Sequence, residues 1–509
     1  MSQLEKVLHN YFGHHYFREG QKEIIDDLIN GESVLGVLPT GSGKSICYQL
    51  PSLLLKGSVI VISPLLSLME DQVKQLKAKG MKDIVAINSF VNRAEKQQVL
   101  QQLSRYKLIY VSPEMIQNKQ LLERLSHMNI SLFVVDEAHC ISQWGHEFRP
   151  DYLKLVDVIA QLNDPSVLAL SATATPDVQK DIIKYLNKPS MIKHIYPMDR
   201  KNIAFTMQQC ENKQEKVSYM IDLLQKFRVP TMIYFSSKKE AEDVASQLSY
   251  HLPELRVAFY HGGMDGIDRT LIQQQFMENQ LDIICCTSAF GMGIDKQNVR
   301  LIIHYHFPTQ IESFIQEVGR AGRDGLSSVS VVLHAPFDTL LPKRLIESEL
   351  PTMEQVRSFV SFLEKKYETN SVTINKHEMM MYLSLNEVQY RFIIYHLENH
   401  AILKENQILP IYDRRGVFLK EIEKVISNRS QYKLRKLREM VTWINTTNCR
   451  RKALFRSFQT TLKEPTYACC DYCDFRFDDW APIQEKTKTA TIKGWKSELA
   501  MLFLQSSND

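Results

Sequence analysis

Long apolar runs are what this sequence most lacks: no stretch approaches the roughly 18 consecutive apolar residues that a membrane-spanning helix needs. The opening residues, MSQLEKVLHNYFGHH, carry acidic and polar side chains where a secretory leader needs an apolar centre, so a cytoplasmic chain with no membrane partner is expected. Cysteine is also scarce. Nine in 509 residues are too few for an extracellular disulfide framework, yet Cys469, Cys470 and Cys473 crowd together and ask for a separate explanation. Low-complexity tracts and short-period repeats are missing. An excess of one charge is missing too: the net is +4, which by itself names no partner.

What is present is a globular composition, 44% hydrophobic and 24% charged, which disfavours disordered and collagen-like classes. At roughly 100–200 residues per domain, three or four domains are expected. Charge is unevenly spread. Residues 411–460 hold 13 Lys or Arg against 4 Asp or Glu, whereas residues 1–340 hold 35 against 37. Such a basic stretch is either a solvated helix face or a polyanion-binding surface. Short apolar, often β-branched runs recur at Ser58–Ile62, 107–111, 132–135, 167–170, 231–235, Ile283–Cys286 and Leu301–His304, alternating with helix-length amphipathic stretches such as 240–252. This order predicts α/β architecture with doubly wound parallel sheets. A break falls in YPMDRKN at 196–202, giving two lobes, 1–198 and 199–340.

Three motifs carry chemistry. The first is LPTGSGKSICYQLP. After a strand at 33–38, Pro39, Thr40, Gly41, Ser42 and Gly43 would form a tight loop whose backbone N–H groups approach phosphate, with the next helix offering its N-terminus to the anion. Lys44 would reach the β and γ phosphates of ATP, and Ser45 would place its hydroxyl on Mg2+. Leu38 stands where the strict P-loop pattern has glycine, so the match is to the helicase form of the motif, with a plain glycine turn as the alternative. The second motif is Asp136, Glu137, Ala138 and His139 at the end of an apolar strand, where ligands sit in open α/β sheets. Asp136 would hold Mg2+ and Glu137 would polarise the attacking water; the bland reading is a solvated acidic turn. The third is QEVGRAGRDG, whose Gln316, Arg320 and Arg323 fall on one face of a helix or helical turn. Arginines delivered across a cleft to the γ-phosphate would tie hydrolysis to lobe closure, while a surface salt-bridge helix would have the same spacing.

Together with FGHHYFREGQ, SPLLSLMEDQV, SATAT, TSAFGMGIDK and the segment CISQWGHEFRPDY at 140–152, these motifs resemble superfamily 2 helicases, and more closely the RecQ family, over nearly all of residues 8–335. The resemblance implies two RecA-like lobes and a DNA helicase that tracks 3′ to 5′. It implies that Gln21, with Arg18 beside it, recognises adenine, that Ser171 and Thr173 transmit nucleotide state, and that Gly291 and Asp295 serve the second lobe's nucleotide and DNA surface. In the aromatic loop, Trp144, Phe148 and Arg149 would meet single-stranded DNA; stacking of a base on an aromatic is worth about 1–3 kcal/mol whatever the base. Single-stranded, forked or junction DNA is the expected partner, with a single-strand-binding protein as a further one and a nucleoid-associated location.

Beyond residue 340 the resemblance is patchy. The family's zinc platform would use Cys449, Cys470 and Cys473; the usual middle ligand position is Tyr467, and Cys469 is the nearest substitute for a fourth ligand, although adjacent cysteines do not readily reach one tetrahedral ion. Reduced cysteines in a core are the alternative. Helices at 353–365, 376–383 and 386–398, then strands at 402–404 and 408–412, follow the plan of a winged helix, or of a helical insert packed on the motor. The expected division is thus a winged-helix-like module at 341–425, a zinc segment at 426–480 and a tail at 481–509, too short for the family's helical accessory domain. Two rival functions stay open: a DEAH-type RNA helicase, and a non-catalytic DNA-binding regulator.

Overall fold

The computed structural model describes residues 2–88, 93–142, 149–291, 296–369, 374–404, 407–459 and 462–482. Seven strands form the first sheet: β1 (Val34–Val37), β2 (Ser58–Ile62), β3 (Ile84–Ile87), β4 (Leu108–Val111), β5 (Ile130–Val135), β6 (Ser166–Ser171) and β7 (Ile192–Ile195). They run parallel in the order β3-β4-β2-β5-β6-β1-β7. Every residue of β1, β2 and β4 is buried, because helices cover both faces; that is why these strands read as unbroken apolar runs rather than as alternating ones.

The second sheet is built from β8 (Ile203–Gln209), β9 (Thr231–Tyr234), β10 (Val257–Tyr260), β11 (Ile283–Cys286), β12 (Leu301–His304) and β13 (Ser328–His334), all parallel, in the order β10-β11-β9-β12-β13-β8. Residues 196–202 connect the last strand of one sheet to the first of the other.

The C-terminal region is mainly helical. Helices Met353–Glu368, Lys376–Tyr382 and Glu387–Asn399 enclose a core of their own with Phe359, Ile393, Leu397 and Phe418. An antiparallel hairpin follows, β14 (Leu403–Lys404) against β15 (Gln407–Ile408). The second strand is shorter than the expected 408–412. Pro410 has no N–H to continue the ladder, and Ile411 is already the N-cap of the next helix. That helix, Tyr412–Ile444, is 33 residues long and runs unbroken through the anticipated boundary at 425, so the module and the zinc segment share it.

The zinc segment packs on the second lobe. Trp443 meets Phe314 with ring centroids 4.6 Å apart, and Phe455 meets Phe205 edge-on at 6.2 Å. Residues 469–471 cover the outer edge of the second sheet: Phe205 N–H donates to the Cys469 carbonyl at 3.2 Å, and Asp471 N–H to the Phe205 carbonyl at 3.1 Å. A sheet edge that would otherwise invite another chain is closed this way.

Much of the basic stretch is taken up in ion pairs within the chain. Arg415 pairs with Glu364, Arg429 and Lys433 with Glu349, Lys436 with Glu312, Arg450 with Asp471 and Arg451 with Asp199. Arg435 and Arg438 instead line a cleft of about 800 Å3 between the long helix and the start of the Pro176–Tyr185 helix, with Asn428 and Gln431 beside them. Arg435 lies over the Tyr432 ring at 5.2 Å. Among the described residues no helix is long and apolar enough to cross a membrane.

Candidate functional site

Because β5, β6 and β1 are neighbours, the three segments leaving their carboxyl ends stand side by side: Asp136–Glu137 after β5, Ser171–Thr173 after β6, and Thr40–Ser45 after β1. The phosphate-loop turn needs glycine at Gly41, with φ +77°, and at Gly43, with φ +73°, values that side chains with a Cβ rarely adopt. Helix Ile46–Leu54 starts one residue after Ser45. Lys44 Nζ lies 3.8 Å from Glu137 Oε1. Glu137 itself is in the left-handed region, φ 48°, the strained conformation typical of functional turns. His139 Nδ1 approaches Glu137 Oε2 at 3.3 Å and the Ser171 hydroxyl at 3.1 Å, joining the acidic motif to the end of β6.

Asp136 is buried, and burial pushes its carboxyl up to about 6, with Glu137 adding to the shift and Lys44 opposing it. A buried carboxylate whose charge is disfavoured in this way suits a nearby cation. Its oxygen and the Ser45 hydroxyl are hard donors of the kind Mg2+ takes. The Ser42 hydroxyl and Arg320 Nε are buried with no hydrogen-bond partner among the described residues, which fits a loop and a guanidinium shaped for phosphate.

The second lobe closes on this loop. Helix Ile311–Val318 carries buried Gln316 and ends at Gly319, so Arg320 and Arg323 sit in the turn beyond it rather than on its face. A Cβ on Gly319 would lie 1.6 Å from Thr40 Oγ1, so only glycine allows the turn to rest against the phosphate loop. Arg323 lies along Gly41, and Arg320 lies against Gly291, where a Cβ would meet its guanidinium at 2.5–2.7 Å. Gln21 is buried under the loop, donating to the Ser42 and Gly43 carbonyls at 2.8 and 3.0 Å; Arg18 donates to the Gly41 carbonyl. Pro39 and Thr40 lead into the loop from β1 as expected.

Sequence reasoning overlooked Arg200. Its guanidinium donates to the Thr40 carbonyl at 3.0 Å and to the Gly319, Ala321 and Gly322 carbonyls at 3.1, 3.3 and 2.6 Å. The available signal was the lone arginine in the break at 196–202.

The aromatic loop leaves directly from the acidic motif. Trp144, Phe148 and, in the second lobe, Asp295 lie outside the described residues. Arg149, at the loop's far end, donates to the Pro64 carbonyl at 3.2 Å and stands 3.9 Å from Glu114, which also pairs with Arg391 of the helical module at 3.3 Å.

The cysteines converge more fully than spacing suggested. The Sγ atoms of Cys449, Cys469, Cys470 and Cys473 all lie within 4.8 Å of one another, with Cys449 to Cys469 at 3.5 Å and Cys470 to Cys473 at 3.6 Å. Thiolates about 2.3 Å from a tetrahedral Zn2+ need separations of this size. Cys469 therefore joins the cluster despite its neighbour. A tight knuckle brings Cys473 back to Cys470: N–H groups of Cys473, Asp474 and Phe475 all donate to the Cys470 carbonyl at 3.0–3.2 Å. A hydrogen bond from the Cys469 thiol leads the effects that lower the Cys470 thiol from its ordinary range. Tyr467 stays outside, its hydroxyl donating to the Asp479 carbonyl at 3.2 Å.

Comparison with known proteins agrees with this geometry. Residues 18–182 match the DEAD/DEAH box helicase family, residues 215–325 the helicase conserved C-terminal domain, and residues 417–475 the RecQ zinc-binding family. The chain is 40% identical over 505 residues to "Probable ATP-dependent DNA helicase RecS" of Bacillus subtilis, covering 99% of this chain and 98% of that protein. It is 40% identical over 353 residues to ATP-dependent DNA helicase RecQ of Haemophilus influenzae, covering 69% of this chain and 56% of that protein. Among solved structures, the DUF1998 helicase MrfA bound to DNA shares the fold at TM-score 0.57 and 18% identity, over 68% of this chain and 53% of that one. Dbp5 of S. cerevisiae, bound to RNA and ADP BeF3, does so at 0.55 and 18%, over 68% and 90%. By sequence along its full length, by its two lobes and by its cysteine cluster, the chain belongs to the RecQ family of superfamily 2 helicases.

Proposed function

We propose that this RecQ-family chain, an ATP-dependent DNA helicase, tracks 3′ to 5′ along one strand and opens forked or junction DNA in repair, recombination or replication. The observation that carries the reading is Lys44 beside Glu137 in the first lobe, with Arg323 of the second lobe lying along Gly41 of the phosphate loop and Gly319 in contact with Thr40. In this reading Lys44 and the loop N–H groups hold the β and γ phosphates, and Glu137 orients the attacking water. Arg320 and Arg323 meet charge developing on the γ-phosphate. Ser45 and Asp136 would hold Mg2+, which neutralises phosphate charge when bound. Gln21 and Arg18 flank the adenine side, Gln316, Gly291 and Asp295 complete the second lobe's share, and a single-strand-binding protein is the expected partner at the fork.

The test is strand displacement on substrates with a 3′ or a 5′ overhang, beside ATPase rates with single-stranded DNA and RNA. Unwinding from the 3′ overhang with preferential stimulation by DNA is expected. Stimulation by RNA alone would favour the DEAH-type RNA helicase, and no stimulation by either would overturn the motor.

Trp144 and Phe148 are assigned to the DNA strand, with Arg149 as a charged companion, because the loop is joined directly to the catalytic acidic motif. Trp144→Ala combined with Phe148→Ala should leave DNA-independent hydrolysis intact and remove most of the stimulation by single-stranded DNA, with stacking worth about 1–3 kcal/mol per base. Unchanged stimulation would make both aromatics structural.

Arg435 and Arg438, on the cleft beside the long helix, are assigned to backbone phosphates. Charge reversal at both should weaken duplex binding alike across unrelated sequences and flatten the log–log salt dependence by roughly 0.9 for each phosphate that is no longer neutralised. An unaltered salt slope would leave the cleft without a nucleic-acid role.

A further inference from the structure

We propose that Arg200 is a positioning residue of the ATPase: a strut in the inter-lobe connection that keeps the arginine turn at 319–323 in register with the phosphate loop. Arg451 of the zinc segment holds the strut's backbone in place. The inference rests on the helicase reading above and extends it to a residue outside the nucleotide motifs.

The connection between the sheets is seven residues long, and Arg200 is near its middle. Its planar fork reaches acceptors in both lobes at once: Nη1 is shared between Thr40 of the first and Gly319 of the second, and Nη2 takes Ala321 and Gly322. Four carbonyls held by one rigid group fix the distance between the two loops more tightly than van der Waals contact can. The acceptors are backbone atoms, so the strut sets main-chain position and does not depend on which side chains the two loops carry.

The contrast with Arg451 is informative. Arg451 is buried against a carboxylate, Asp199, in the ordinary manner of a structural arginine. Arg200 is held by carbonyl dipoles and is gathered with two further cations: burial lowers it to about 10, with Arg323 and Arg18 acting in the same direction. It remains charged at neutral pH, in the same electropositive group as Arg323 beside the phosphate loop.

Arg451 supplies the fixed end. It donates to the Arg200 carbonyl at 3.1 Å and also to the Ile203 carbonyl. Cys449 is the N-cap of its helix, Arg450–Phe455, and the adjoining Arg450 binds Asp471 in the cysteine knuckle at 2.6 Å. The connection is therefore braced from the metal-binding segment, and the brace ends at the residue that spans the cleft.

Loss of the strut should leave Lys44 and its ground-state phosphate contacts in place while misaligning Arg320 and Arg323, a change felt in turnover rather than in nucleotide affinity. In Arg200→Ala and Arg200→Lys, kcat for ATP should fall at least about tenfold, since small misplacements of reacting groups cost up to about 100-fold, while nucleotide Kd from equilibrium binding stays within about threefold. Lysine does not rescue, because one ammonium cannot span four carbonyls in two lobes. Millimolar guanidinium should restore part of the rate to Arg200→Ala and none to Arg200→Lys. Arg451→Gln should lower kcat in the same direction with zinc content unchanged.

If Arg200→Ala does not fold, Arg200→Lys, which keeps charge and stem, decides the matter. Wild-type kcat in Arg200→Lys, or a loss that appears as strongly in Kd as in kcat, overturns the strut. DNA-independent hydrolysis is measured alongside. It reads the strut directly, whereas a wild-type chain that hydrolyses ATP without any response to DNA overturns the helicase reading instead.

Discussion

Replacing Lys44 by alanine, or Glu137 by glutamine, should reduce ATP hydrolysis by at least about 10²–10³-fold, the range seen when one preorganised transition-state group is removed. The two substitutions act on opposite sides of a 3.8 Å contact. Lys44→Ala removes the cation proposed to meet the β and γ phosphates, and it also removes the charge that opposes the raised pKa of Asp136, which burial and Glu137 together push up. Glu137→Gln keeps the volume and the left-handed turn but leaves an amide that cannot accept a proton from water. It should therefore lower kcat with little change in nucleotide Kd, whereas Lys44→Ala should weaken both. DNA binding should survive in each variant, because the aromatic loop and the Arg435–Arg438 cleft lie outside the phosphate loop. Steady-state turnover with saturating single-stranded DNA is the measurement. Hydrolysis within about threefold of wild type in either variant would remove these residues from the catalytic centre.

Why these residues could be found from sequence, and others could not, follows from how each is held in place. Lys44, Glu137 and Ser171 are set by local geometry: each lies at or beyond the carboxyl end of a buried apolar strand, so a strand-length apolar run ending in polar residues is enough to locate them. The strand runs at Ser58–Ile62, Ile283–Cys286 and Leu301–His304 coincide with β2, β11 and β12 for the same reason.

Arg200 follows no such pattern. Its partners are carbonyls some 120 to 160 positions distant in the chain, and a backbone acceptor leaves no trace in residue identity. The basic stretch misled in the opposite sense, because a count of charges cannot show that Lys436 ends at Glu312 and Arg451 at Asp199. The pose of Gln21 was not legible, because it depends on the loop carbonyls that Gln21 satisfies. For Cys469, adjacency to Cys470 argued against a shared site; the turn closed on the Cys470 carbonyl brings Cys473 back to Cys470, and only the fold reveals that Cys449 and Cys469 meet them there.

The purified chain should carry about one zinc, and each of Cys449→Ser, Cys469→Ser, Cys470→Ser and Cys473→Ser should lower zinc affinity by more than the roughly 10–100-fold that follows loss of a supporting group. The four Sγ atoms within 4.8 Å of one another place all four thiols alike in this respect, Cys469 included. Stability should fall with the metal, because apparent zinc affinities of about 10–16 kcal/mol in small metal domains are folding free energy. The knuckle does more here than close on itself. Through Cys469 and Asp471 it covers the β8 edge, through Arg450 it anchors the Arg450–Phe455 helix, and through Arg451 it holds the connection between the lobes. Chelation should therefore lower the thermal midpoint and also slow ATP turnover, although every nucleotide motif lies more than a hundred residues earlier in the chain. Cys469→Ser is the discriminating variant. Wild-type zinc content and affinity in Cys469→Ser would leave the fourth coordination position to another group, and a zinc-free wild-type protein of unchanged stability would reduce the cluster to packed thiols.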